Sequence, residues 1–256
     1  MRTVWIRYTE ILQDTTKNGI WVFPDGADPG TAGGTYPFYA RTDSGPTMDI
    51  PLIYGEAGRG GICVGPATYD GKNFSVTEPV PLQSVDFLKP RKTQGTVILA
   101  DSESLSSGRF TPGFVERCKV PGNGVWLIES VYDEADILDA FLPGLEKLVI
   151  PIRTVMGDSV LESAIDMSGD CIPLIECRGG RAAGKERDPV KAVRNLRSMG
   201  FGTVMVADFD GTLKNDIWHI IGNSCRTIPY CPCTPYPDAE VRAVDGFPFS
   251  LREALK

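Results

Sequence analysis

Two aspartates two residues apart, Asp208 and Asp210, close an apolar run in the string Thr203-Val-Met-Val-Ala-Asp-Phe-Asp-Gly-Thr-Leu213. Carboxylates held this near one another raise each other's pKa or recruit a cation, and both outcomes serve acid–base or Mg2+-assisted chemistry. Asp208 and Asp210 are therefore candidate catalytic residues and candidate Mg2+ ligands, with Thr212 as a substrate-binding neighbour. Charged side chains end four earlier apolar runs as well: Asp101, Glu129, Arg153, and Glu176 with Arg178. Glu176 and Asp101 join the catalytic candidates; Glu129 and Arg153 join the substrate-binding ones. A single charged residue at a strand end only returns the chain to water, and Asp-x-Asp-Gly is also an ordinary turn. Five successive runs ending alike are the reason to expect a shared site.

The segment Glu176-Cys-Arg-Gly-Gly-Arg-Ala-Ala-Gly-Lys185 adds positive charge. Gly179, Gly180 and Gly184 free backbone N–H groups to turn toward a ligand, Arg178, Arg181 and Lys185 supply charge, and a helix N-terminus follows. It reads as an anion or phosphate loop, or else as a solvated turn, since the spacing matches no strict phosphate motif. A second glycine cluster, Gly55-Glu-Ala-Gly-Arg-Gly-Gly61, is a candidate lid or a plain turn. The sole histidine, His219, excludes a multi-histidine metal site and reads as a packed or surface residue. Cys225, Cys231 and Cys233 lack the usual metal-ligand spacing, and whether they hold a metal is left open.

The elements that must position these groups alternate. From Gly95 onward, short β-branched runs at Thr96–Ala100, Val125–Glu129, Leu148–Arg153, Cys171–Cys177, Thr203–Asp208 and Thr227–Tyr230 are separated by stretches of helical length. Helices are expected at Glu134–Phe141, Ser159–Met167, Pro189–Met199 and Asn215–Ile221, the third capped by Asp188 and stopped by Gly200. Such alternation forces a parallel sheet with right-handed crossovers. Runs at Thr3–Arg7 and Ile20–Phe23 bring the strand number to that of a (β/α)8 barrel, with an open doubly wound sheet as the alternative. Between residues 24 and 94, 11 Gly and 9 Pro argue for a loop-rich insertion with little helix and only short or edge strands. The whole chain, 1–256, is read as one barrel domain carrying the 24–94 insertion.

Composition narrows the partners. With 42% hydrophobic residues and mean hydropathy of −0.09 the chain can bury a core. No apolar run approaches the roughly 20 residues of a membrane span, and the N-terminus resembles no export signal. A net charge of −7, with no long basic stripe, argues against nucleic acid as a general partner and for a small molecule. Seven cysteines without disulfide-framework density suggest a reducing, cytoplasmic setting. Homo-oligomer formation is compatible with the composition and undecided by it.

Two resemblances attach to these strings. The string 203–213 resembles the nucleophile motif of haloacid-dehalogenase-like phosphatases. That likeness implies a phosphorylated Asp208, a proton-donating Asp210 and Mg2+, and Val155-Met-Gly-Asp-Ser159 with Asp166 and Gly169 resembles the family's later acidic motif. The family places its nucleophile strand first, whereas here 46 residues follow Asp210. Residues 187–212 are similar to the phosphate-binding (β/α)8 barrels of histidine biosynthesis, in helix, Gly-containing turn, strand and Asp-x-Asp-Gly-Thr turn. That likeness implies a barrel and a site at Asp208–Thr212. The expectation is an enzyme acting on a small phosphorylated or otherwise anionic metabolite by general acid–base chemistry, of the lyase, aldolase or isomerase type. Its rivals are a Mg2+-dependent phosphoaspartyl phosphatase and a non-catalytic barrel used for binding or assembly.

Overall fold

Apolar, β-branched runs that are buried on both faces can only be central strands of a covered parallel sheet. Here they close on themselves. The computed structural model describes residues 48–58, 61–69, 73–77, 79–82, 96–118, 124–232 and 239–245. Its barrel strands are β1 (Met48–Gly58), β6 (Val97–Asp101), β7 (Val125–Ile128), β8 (Lys147–Pro151), β9 (Cys171–Arg178), β11 (Thr203–Asp208), β12 (Arg226–Tyr230) and β13 (Val241–Asp245). They pair in that order, each parallel to the next, and β13 returns to β1 with Ile50 opposite Ala243. The protein is a closed (β/α)8-like barrel.

Helices fill the crossovers: α1 (Ser102–Ser107) and α2 (Pro112–Arg117) after β6, α3 (Glu134–Phe141) after β7, α4 (Asp158–Met167) after β8, α5 (Pro189–Met199) after β9, and α6 (Asn215–Ser224) after β11. Local chemistry fixes their ends. Asp188 accepts from the N–H groups of Val190 and Lys191, Pro189 occupies the first turn, and Gly200 at φ 117° ends α5 in the left-handed region.

Between β1 and β6 the chain forms an antiparallel extension, β2 (Gly61–Gly65) on β1 and β5 (Val80–Leu82) on β2, and a separate hairpin of β3 (Ala67–Tyr69) with β4 (Phe74–Val76). The expected strands at 3–7 and 20–23 lie outside the described residues. The barrel takes its first strand from Met48–Gly58, inside the stretch read as an insertion, and its last from Val241–Asp245. Proline misled the expectation only at Pro51, since the strands read at 148–153, 171–177 and 227–230 include prolines as well. Pro51, Pro151, Pro173 and Pro229 all sit within barrel strands, because one missing N–H forfeits a single ladder bond while both neighbours stay paired.

Alternation along each strand divides the core in two. Leu52, Ile98, Ile128, Val149, Leu174 and Met205 belong to a cluster drawn from all eight strands, the barrel interior. Their sequence neighbours pack on helices instead: Leu99 and Leu127 against Phe114 and Val115 of α2, and Val204 and Val206 against Val193 and Leu196 of α5. Every strand-end residue is therefore committed to one side or the other.

Candidate functional site at the barrel mouth

The charged strand ends part company at the mouth. Glu176 continues the inward series Ile172, Leu174; Arg153 continues Val149, Pro151. Both face the interior, and the Arg153 guanidinium forms an ion pair with the Glu176 carboxylate while donating to the carbonyl of Leu105 in α1. Glu176 is buried at 6% exposure. Burial pushes its carboxyl above the usual range, and the opposing pull of Arg153 and then Arg178 does not cancel that rise. Arg178, the next inward residue of β9, lies with its guanidinium 5.6 Å from the Phe209 ring centroid.

Asp208 faces the other way. It follows Val204 and Val206, is fully buried, and accepts from the backbone N–H groups of Thr212 (3.2 Å) and Leu213 (2.9 Å). Burial lifts its carboxyl above the ordinary range, with Asp210 adding to the rise against those two donors. Asp210 is exposed. Partial burial opposes ionisation, yet hydrogen bonds from Thr212 Oγ1 and Gly179 N hold its carboxyl below the usual range. Thr212 Oγ1 also accepts from Gly180 N at 2.7 Å. The two glycine N–H groups expected to greet a phosphate are thus taken by the Asp-x-Asp-Gly-Thr turn. All four oxygens of Asp208 and Asp210 accept a hydrogen bond from the chain itself.

The anion loop is an ordered hairpin. Strand β10 (Arg181–Ala182) folds back on Cys177 and Arg178, and Ala183 N donates to the Glu176 carbonyl at 2.7 Å. Gly184 sits at φ 108°, a left-handed backbone conformation that L side chains rarely adopt, which favours glycine there. Arg181 and Lys185 are exposed.

Asp101 and Glu129 share a second outward site beneath α1 and α2. Asp101 caps α1 through the N–H groups of Glu103 and Ser104, and its other oxygen accepts from the Thr111 hydroxyl. Glu129 Oε1 accepts from Thr111 N at 3.0 Å. Both carboxyls are completely buried, and burial drives each pKa upward, that of Glu129 strongly and with help from Asp101. The expected gathering of Asp101, Glu129, Glu176 and Asp208 in one cavity is therefore not what the fold builds. Of the charged strand-end residues named from the sequence, Glu176, Arg153 and Arg178 share the interior.

Four aromatic residues absent from the sequence reading complete the mouth. Phe74 of β4 stacks on Tyr54 (5.6 Å between centroids) and meets Phe209 (5.5 Å), which meets Tyr230 edge-on (6.1 Å). The β3–β4 hairpin that delivers Phe74 is fastened to α1: Phe74 N donates to Ser106 Oγ at 2.7 Å, and Ser106 Oγ lies 3.0 Å from the Phe74 carbonyl. A signal for Phe209 was available. Once Asp208 is known to point outward, the period of two turns Phe209 inward.

Elsewhere, the floor of the barrel holds a cavity of about 290 Å3 lined by strand starts, among them Trp126, Lys147, Cys171, Thr203 and Arg226. Of its polar lining groups, Lys147 pairs with Asp170 at 3.0 Å and Arg226 with Glu240 at 3.4 Å, while the buried Trp126 Nε1 has no hydrogen-bond partner among the described residues. Cys225 and Cys231 are buried, Cys225 Sγ lying 3.3 Å from the Gly202 carbonyl; Cys233 lies outside the described residues. Among the described residues no three His, Cys, Asp or Glu side chains gather as a metal-ligand set, and no helix is long and apolar enough to cross a membrane. His219 is exposed on α6.

Fold and site together define a (β/α)8-like barrel whose interior polar group is an arginine–glutamate pair beneath an aromatic cover. No family model matches the chain and no curated protein matches it.

Proposed function

We propose that the barrel acts on a small anionic molecule at its mouth, with Glu176 as the acid–base group and Arg153 and Arg178 as the anion's counter-charges. One observation carries the reading: Glu176 is an interior carboxyl, nearly inaccessible, raised by desolvation and flanked by two guanidinium groups. Acid–base catalysis is most effective when a carboxyl's pKa is moved toward neutrality, and the two guanidinium groups beside it supply the positive charge an anionic ligand needs. The reaction class consistent with this set is proton transfer next to an activated carbonyl, as in enolising lyases, aldolases and isomerases. Asp210 and Thr212 are positioning residues that fasten the Gly179–Gly180 hairpin beside Arg178, and Asp208 holds the turn that carries them. The phosphoaspartyl reading has no geometric feature in its favour, since Asp208 is buried on the helix side. No step is assigned to Mg2+.

The aromatic cover favours a second reading, a barrel that binds without catalysis, because Phe74, Tyr54, Phe209 and Tyr230 pack where a substrate would enter. For the catalytic reading the β3–β4 hairpin must lift, and lids of this kind open on the μs–ms scale.

Incubation in D2O with a panel of aldose and ketose phosphates, followed by proton NMR, separates the two. Deuterium incorporation beside the carbonyl that Glu176→Gln abolishes supports catalysis. Thermal stabilisation by inorganic phosphate that Arg178→Ala removes, without exchange, supports binding alone. Neither exchange nor stabilisation sinks the anion site altogether.

A further inference from the structure

The barrel's outer surface sorts its charge by helix. The helices α3 and α4 contain Glu134, Asp136, Asp139, Asp158, Glu162 and Asp166 and no lysine or arginine. Helix α5 contains Lys191, Arg194 and Arg197, with Arg187 just ahead of it, and no aspartate or glutamate between Pro189 and Met199. These four cations are exposed, as are Asp139, Glu162 and Asp166, and none of the seven takes part in an ion pair among the described residues. The acidic face also exposes Leu138 of α3 at 59% and Leu142, the residue that follows α3, at 80%, and Ile220 lies exposed on α6, which packs against α5.

We infer that α5 docks onto the α3–α4 face of a second copy of this chain. A polyanionic partner would account for α5 alone, and a polycationic one for α3 and α4 alone. A second copy uses both, and places the exposed apolar side chains beside a partner rather than in water. The two faces belong to different sectors of one barrel, α3 following β7 and α5 following β9. The acidic α4 and the basic α5 are successive helices of the barrel, so two copies can pair reciprocally about a two-fold axis as well as add head-to-tail into a ring or chain. Overall charge of −7 on every copy opposes assembly, which makes it weak and strongly dependent on ionic strength.

Sedimentation velocity of the full chain at about 0.1 mM tests this. Mass should exceed 27.8 kDa in about 0.02 M salt, where the Debye length is long, and return to one chain in about 0.5 M salt. The charge reversals K191E/R194E/R197E and D139K/E162K/D166K should each give single chains in low salt. An equimolar mixture of the two should associate again, because each then offers the face the other lacks. Circular dichroism checks that both variants fold, and K191Q/R194Q/R197Q replaces the reversal if it does not. A wild-type mass of one chain at every salt concentration overturns the inference. So does association that both reversals leave untouched, or binding of poly-glutamate or an oligonucleotide to α5 by a chain that stays single.

Discussion

The inner and outer sides of the strand ends carry similar residues and do different work. Inside, Glu176 meets Arg153 and Arg178 at the centre of the barrel mouth; outside, Asp101, Glu129 and Asp208 tie strands to the turns and helices that follow. Of the outer carboxylates, Asp208 and Asp101 spend both oxygens on N–H and hydroxyl donors of the chain, which is how a buried polar atom is made tolerable, whereas Glu129 keeps Oε2 without a hydrogen-bond partner among the described residues. The inner one is matched by charge and retains capacity for a ligand. A strand-end acid therefore says little until its side is known, and the side is set by a single residue of register.

Removing the inner counter-charge should have the largest effect. Arg153→Ala leaves Glu176 buried without its partner and should cost about 3–5 kcal/mol in urea unfolding, whereas a double variant with Glu176→Leu should recover a good part of that. Equal losses in single and double variants would mean the two groups are uncoupled. On the outer side, Asp208→Ala strips the acceptor from Thr212 N and Leu213 N and should cost about 2–4 kcal/mol. Its phosphate response, measured by thermal shift, should survive; loss of that response with stability intact would return Asp208 to the ligand side.

The acid pair under α1 and α2 should betray itself through pH. Because burial raises the Glu129 pKa in the folded chain, the native state holds a proton that the unfolded chain has released. Stability from this group is complete below the ordinary glutamate range and declines as pH rises through the elevated value, by at most about 1.4 kcal/mol per pH unit for one proton. Glu129→Gln should flatten that decline in denaturation curves taken across pH, and an unchanged slope would assign the effect elsewhere. The smallest change is expected for Thr212→Val. It unlatches Gly180 N and Asp210 and should cost about 1 kcal/mol, seen best as faster amide exchange at Gly179 and Gly180.

Much of the barrel was legible because its middle strands are apolar on both faces, and each helix between them carries its own caps. The runs 96–100 through 227–230 coincide with β6 to β12, and Asp188, Pro189 and Gly200 bound α5 as expected. The closing strands were hidden. Met48–Gly58 is interrupted by Pro51 and surrounded by glycine, and Val-Arg-Ala-Val-Asp245 is short and half polar. They hold as strands because closure gives each a partner on both edges, with Asp49 and Arg242 paired across the seam at 2.5 and 3.2 Å. The site was half legible. Arg153, Glu176 and Arg178 were among the residues named, but Phe74 arrives from a hairpin more than 75 residues earlier in the chain, and nothing in its local sequence points to the mouth.

The residues alone determined an α/β alternation, the caps of its helices and the charged residues that end its strands, because each of these is settled within one turn or one run of neighbours. Tertiary structure decided which carboxyls look inward, which loop donors are already spoken for, and which aromatic rings cover the mouth. Those outcomes depend on strand register around a closed barrel, a property of eight strands together that no single segment contains.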